Sequence, residues 1–175
     1  MLRAADIYVL AGLVAEDGRW SYRSLADRLR VPHPVVQRGL ARAKAADLYA
    51  ADRREVHLPH FEEFAVYALR FVAPAQLGAL VPGVRAAWAA EPMASAIRSS
   101  GDEPPPVWPY APSRLRGQAI EPLHPAAPEV VGEWRELGEV LALLDSLRAG
   151  DARVRKVAEG LLSERLGALA SVTRR

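Results

Sequence analysis

The sequence predicts a mainly α protein: an N-terminal helical unit closed by a small β-hairpin, then a proline-rich connector, then a C-terminal helical hairpin. Three observations carry this. Apolar residues recur at i, i+3, i+4 and i+7 over most of the chain, as on the buried stripe of amphipathic helices. Two such stretches, 22–29 and 34–46, meet at the tight turn Val31-Pro32-His33-Pro34. Eight prolines crowd the 25 residues from Pro104 to Pro128 and separate one helical part from the other. The expected organisation is residues 1–73 as one unit, 74–128 as a short helix and connector, and 129–175 as a helical hairpin for dimerisation or partner binding.

The first helix is expected over 4–15, with Ile7, Leu10, Ala11 and Val14 on one face, and Asp17-Gly18 ends it. Ser21 stands as N-cap of the next helix, 22–29, whose buried side is Leu25, Ala26 and Leu29. Pro32 and Pro34 cannot continue that helix, because each lacks an N–H and fixes φ, but Pro34 suits the first turn of a new one. The third helix, 34–46, is expected to bury Val36, Leu40 and Ala43 and to expose Gln37, Arg38, Ala41 and Arg42. Gly39 inside it costs about 1 kcal/mol relative to Ala and is read as permitting close packing.

Residues 48–51 and 55–58 read as strands around Asp52-Arg53-Arg54, a hairpin with two arginines near its tip. Phe61, Phe64, Ala65, Ala68, Leu69 and Val72 form one further helix that ends before Pro74, and a shorter helical piece is expected over 76–90, interrupted at Pro82-Gly83. The prolines exclude a regular helix or a central strand from 104–128. Val107, Trp108, Tyr110, Leu115, Ile120 and Leu123 nevertheless predict a segment that lies along a surface. Last come 129–147 and 152–169, two apolar stripes separated by Gly150-Asp151 with Asp151 placed as a cap, an antiparallel pair.

Half of the 175 residues are apolar and a quarter are charged, the balance expected of a soluble globular protein. No apolar run approaches the ~20 residues that span a bilayer, and the N-terminus lacks the residue order of a signal peptide, so a cytoplasmic location without a membrane partner is expected. The absence of cysteine excludes disulfide frameworks, thiolate zinc sites and cysteine nucleophiles. A formal net charge of +2 is unevenly placed: residues 19–54 hold nine Arg or Lys against three Asp. Such a footprint suits a polyanion, since phosphate attraction and counterion release act over the contacted surface.

Ser24-Leu25-Ala26-Asp27-Arg28-Leu29, then Val31, Val36, Arg38, Leu40, Arg42 and Leu48, set in the order helix, link, helix, turn, helix, hairpin, resemble the winged helix-turn-helix fold of MarR-like transcription regulators. The resemblance covers about residues 4–72. It implies that the second helix of the motif enters the major groove of double-stranded DNA while the hairpin wing reaches phosphates or the minor groove. On that basis His33, Val35, Gln37, Arg38 and Arg42 face bases or backbone, Arg53 and Arg54 form the wing contact, and Arg23, Arg28 and Arg30 touch phosphates. Pro32, His33 and Pro34 stand where such regulators often carry Ser or Thr. The implied function is a DNA-binding repressor acting as a homodimer. A weaker similarity of the part after residue 74 to winged-helix antitoxins encoded beside nucleotidyltransferase-type toxins implies an alternative, an adaptor or antitoxin that binds a protein partner such as a toxin through its C-terminal half.

Other constellations predict little chemistry. His57 and His60 straddle Pro59 without a supporting carboxylate, so no metal site is expected. Glu133, Glu136, Glu139 and Asp145 lie at helical spacing on what should be a wet face. Phosphate-loop, dinucleotide and nucleophile-elbow motifs are missing, so no catalytic residue, no cofactor and no enzyme activity are expected. Trp20, Trp88 and Trp134 are read as core residues. Trp108 and Tyr110, set among prolines, are the candidate partner-binding anchors, with pinning of the segment onto its own fold as the other reading of Trp108.

Overall fold

A computed structural model describes residues 1–97 and 103–173. In chain order it contains α1 (Ala4–Ala15), α2 (Tyr22–Leu29), α3 (His33–Ala45), β1 (Tyr49–Ala50), β2 (Glu55–Val56), α4 (Leu58–Tyr67) and α5 (Leu69–Val72). There follow β3 (Leu80–Arg85), a 3-10 turn (Ala87–Ala89), α6 (Met93–Ala96), β4 (Pro106–Pro109), β5 (Arg116–Ala119), α7 (Ala127–Val130), α8 (Arg135–Ala149) and α9 (Ala152–Thr173). The protein is mainly helical, with an antiparallel two-strand ribbon β1–β2 and a separate three-strand unit β3–β4–β5. Among the described residues no helix is long and apolar enough to cross a membrane.

Local rules account for the first half. Ser21 Oγ accepts from the Ser24 amide at 3.0 Å and starts α2; Arg30, at φ 54, ends it in the left-handed region. Pro34 occupies the first turn of α3, where a missing N–H leaves no bond unmade. The predicted helix 61–72 is broken at Ala68 into α4 and α5.

α8 organises the core. Leu137, Val140 and every residue from Leu141 to Arg148 are buried, so the helix has no wet side over its last two turns. It packs against α1, α5, α9 and the 3-10 turn, and one cluster of buried residues runs from Ile7 in α1 to Leu166 in α9. Residues 1–73, 74–128 and 129–175 thus share one core. A side chain such as Leu144 gains about 1.5–3 kcal/mol from full burial.

Two expectations are corrected here. Asp145, read as a wet-face residue, is 1% exposed. It accepts a hydrogen bond from Trp108 Nε1 at 2.6 Å and lies 3.3 Å from Arg148, whose Nη2 donates to the Glu121 carbonyl at 2.8 Å. Burial pushes its carboxyl up to about 6, against the opposing pull of Arg148 and Trp108. Trp108, read as a candidate partner-binding anchor, is likewise 1% exposed and pins its segment onto α8, so it is not a surface residue; Tyr110 is half-buried.

The proline-rich segment is also corrected, since it supplies β4 and β5, and residues 80–85 of the predicted 76–90 helix form β3. Proline lacks a donor but keeps its acceptor, and the sheet uses that: the carbonyls of Pro105, Pro106 and Pro82 accept from Gln118, Ala86 and Tyr110 at 2.9–3.0 Å. Pro106 and Pro109 stand at the two ends of β4, leaving Val107 and Trp108 inside it. β3 runs antiparallel to both other strands, while β4 and β5 are parallel. A Cβ on Gly117 would overlap the Pro105 carbonyl oxygen, so only glycine lets the strands close.

Two outcomes test this core. Leu144→Ala is expected to lower unfolding free energy by about 2–5 kcal/mol in urea denaturation. Because the folded carboxyl of Asp145 holds its proton above the ordinary value of 3.8, the native state binds more protons than the unfolded chain between about pH 4 and pH 6. Stability contributed by this group is therefore present at low pH and lost as the pH rises through about 6. The stability of the parent relative to Asp145→Asn should rise as the pH falls from 7 to 4, and a constant difference would contradict the assignment.

Candidate nucleic-acid interface

The candidate surface is the outer side of α3 with the β1–β2 ribbon beside it. Val36, Leu40 and Ala43 face the core, and Gly39 is buried against α1, where a Cβ would meet Asp6 Oδ1 at 3.2 Å. The glycine thus permits close packing, as its place in the sequence predicts. The 3.6-residue period then leaves Pro34, Gln37, Arg38, Ala41 and Lys44 exposed on the opposite side.

Each predicted residue has a definite place. His33 is exposed at the first position of α3, with Tyr22 edge-on at 6.1 Å between ring centroids. Val35 is half-buried; Gln37 and Arg38 are exposed and have no partner among the described residues. Arg42, expected on the open face, is instead turned back onto α1: Nε and Nη2 donate to the two oxygens of Asp6 at 2.7 and 2.6 Å. In the ribbon, Arg53 is exposed without a partner among the described residues, whereas Arg54 is folded back. Its guanidinium lies 4.6 Å from the Trp20 ring centroid and donates to the Trp20 carbonyl at 3.1 Å. Trp20 Nε1 returns a bond to the Arg54 carbonyl at 3.3 Å. Arg54 therefore clamps the ribbon to the link before α2.

The same division runs through the remaining cations. Arg28 forms a two-pronged pair with Glu16 at 2.9 Å and lies 3.6 Å from the centroid of the buried Trp134 ring. Arg30 pairs with Glu129 and Glu133, which ties α2 to the segment before α8. These two are thus drawn away from the phosphate contacts expected of them. Arg23, Arg38, Lys44 and Arg53 remain exposed and unpaired among the described residues. Among the described residues Arg3, Arg19, Arg85, Arg114 and Arg153 are likewise exposed and without a carboxylate partner.

Two residues belong to this surface without a signal in the sequence. Asp6 is fully buried yet accepts from the Arg3 amide at 2.9 Å as well as from Arg42, so one carboxylate fixes both the start of α1 and the guanidinium on α3. Arg3 is exposed beside it. An Asp in the first turn of an otherwise apolar helix was the available hint, but it reads equally well as a partner of the helix dipole. Elsewhere His57 and His60 stack at 3.6 Å, with His60 Nδ1 at 3.1 Å from Asp47. Among the described residues no group of three or more His, Cys, Asp or Glu is arranged to hold a metal ion.

No family model, curated protein or solved structure matches the chain.

Removing Arg42 tests the anchoring role. Arg42→Ala leaves Asp6 buried without its cation and is expected to cost about 2–3 kcal/mol in urea denaturation, the lower part of the range because Arg42 is itself a quarter exposed. Arg38→Ala should leave the midpoint unchanged.

Proposed function

We propose that the protein is a DNA-binding transcriptional regulator of the winged helix-turn-helix type, acting as a repressor and a homodimer. The observation that carries this reading is that α2, α3 and the ribbon each hold an exposed cation without a carboxylate partner among the described residues. Arg23 on α2, Arg38 and Lys44 on α3 and Arg53 at the ribbon tip lack carboxylate partners, whereas neighbouring arginines are neutralised within the fold. α3 is the reading helix in this proposal, with Gln37 its base-facing side chain, Arg38 directed at the backbone and the ribbon its wing. His33 and Val35 flank them at the end where Pro32 and Pro34 supply no backbone donors. Arg42 and Arg54 support the surface rather than read it. In a homodimer two such helices would reach successive major grooves about 34 Å apart.

One observation favours a second reading, a protein that binds a protein partner such as a toxin. Tyr67, Phe71, Leu77 and Leu80 are 69%, 70%, 38% and 53% exposed, large apolar side chains that follow one another along α4, α5, the link after them and the start of β3. Exposed apolar groups of this kind mark contact surfaces more often than solvated ones. α1 and most of α8 have their apolar sides inside the chain, so neither offers such a surface. The two readings are compatible in one protein.

A mobility-shift titration with the region upstream of the chain's own gene, set against random duplex, tests the main reading. Tighter binding to the upstream region is expected; equal binding to both, or none at low salt, would sink the sequence-specific regulator. Gln37→Ala should reduce the preference by about 1–3 kcal/mol, the worth of one good base contact. Arg53→Ala should instead weaken all duplexes alike.

A further inference from the structure

The ion pair that holds α1 to α3 also builds a groove. Arg3, Ala5, Val35, Arg38 and Arg42 line an open concavity of about 410 Å³ between the start of α1 and the outer side of α3. The carboxylate behind it, Asp6, is fully buried and accepts three hydrogen bonds, from the Arg3 amide at 2.9 Å and from Arg42 Nε and Nη2 at 2.7 and 2.6 Å. A guanidinium carries five N–H donors. Asp6 takes two from Arg42 and leaves both hydrogens of Nη1 and one of Nη2, on a side chain 27% exposed. Arg3 and Arg38 bring two more guanidiniums, both exposed and unpaired among the described residues. Three arginines against one carboxylate leave the groove with a net charge of +2.

We propose that this groove is a phosphate site, in which Arg42, held in plane by Asp6, and Arg3 and Arg38 on the rim receive a phosphodiester of bound nucleic acid. The identity of the ligand rests on the DNA-binding reading above; the site itself rests on the groove. Two features suit it to an anion with several oxygens. Arg42 is oriented before the ligand arrives, and the backbone of Arg3 is tied to the same carboxylate, so little freedom is lost on binding. The walls between the cations are Ala5 and Val35, small or branched apolar side chains that let a phosphate approach and raise the strength of each charge-assisted bond. Gly39 acquires a second reason here. By letting α3 lie close to α1 it brings Arg38 and Arg42 to the same groove as Arg3.

Two measurements on the full chain test the site, both with Arg3→Ala/Arg38→Ala, whose substitutions lie at exposed positions and spare the Asp6–Arg42 pair. In the first, anisotropy with a labelled duplex of random sequence is followed against potassium chloride. The double variant is expected to lower the slope of log affinity against log salt by about 0.9, one phosphate contact, and to weaken binding several-fold. Arg85→Ala, on β3, should change neither. In the second, inorganic pyrophosphate is titrated into the parent and the arginine Nε–H resonances are followed by NMR. The Arg42 signal should move at millimolar pyrophosphate, and the shift should be lost in the double variant. An unchanged salt slope in the double variant, or an Arg42 resonance indifferent to pyrophosphate, overturns the site even if the chain binds DNA. A parent that binds no duplex while pyrophosphate still moves Arg42 overturns the nucleic-acid ligand and the DNA reading together, and leaves an anion site standing.

Discussion

The fold depends on burying the last two turns of α8 on every side. A helical stretch without a wet face must be surrounded, and here α1, α5, α9 and the turn before α6 surround it. That requirement draws both ends of the chain and its proline-rich middle into one core. The polar device inside this helix is Asp145, whose bond to Trp108 fastens the three-strand unit to α8. A buried carboxylate is unfavourable unless its lone pairs are met. Trp108 Nε1 meets Oδ2, while Oδ1 has only the charge of Arg148 at 3.3 Å and no hydrogen bond, which agrees with the raised affinity of this carboxyl for its proton; Arg148 in turn holds the Glu121 carbonyl.

Arginine serves two purposes in this chain. Arg28, Arg30, Arg42, Arg54 and Arg148 are structural: each joins elements distant in sequence through a carboxylate, a carbonyl or an aromatic face. The planar guanidinium suits this work because it can bond along one edge and stack along its face. Arg23, Arg38 and Arg53, with Lys44, stay exposed and without carboxylate partners among the described residues. What matters is not where arginine is abundant but where it is unneutralised.

Much of the N-terminal part was legible in the residue order. Ala4–Ala15 and Tyr22–Leu29 have the predicted bounds, α3 is displaced by one residue, and Ser21 and Asp151 cap as expected. Amphipathic period, capping and proline placement act within a few residues, so they survive without knowledge of the fold. The three-strand unit was not legible, because its strands are four to six residues long, proline-bounded and stabilised by partners elsewhere in the chain. On the candidate surface the exposure of Gln37 and Arg38 followed from period and that of Arg53 from its place near the hairpin tip, whereas the engagement of Arg42 and Arg54 did not.

The sequence by itself determined where α1, α2 and α3 lie, where the turn between α2 and α3 falls, and that positive charge gathers near it. Tertiary structure alone decided which charges remain free. Arg42 and Asp6 are 36 residues apart, Trp108 and Asp145 are 37 apart, and Arg54 and Trp20 are 34 apart. Nothing in local periodicity distinguishes an arginine that will meet a buried carboxylate from one that will face solvent. That choice is made only when the packing of α1 against α3, and of the strands against α8, brings the partners together.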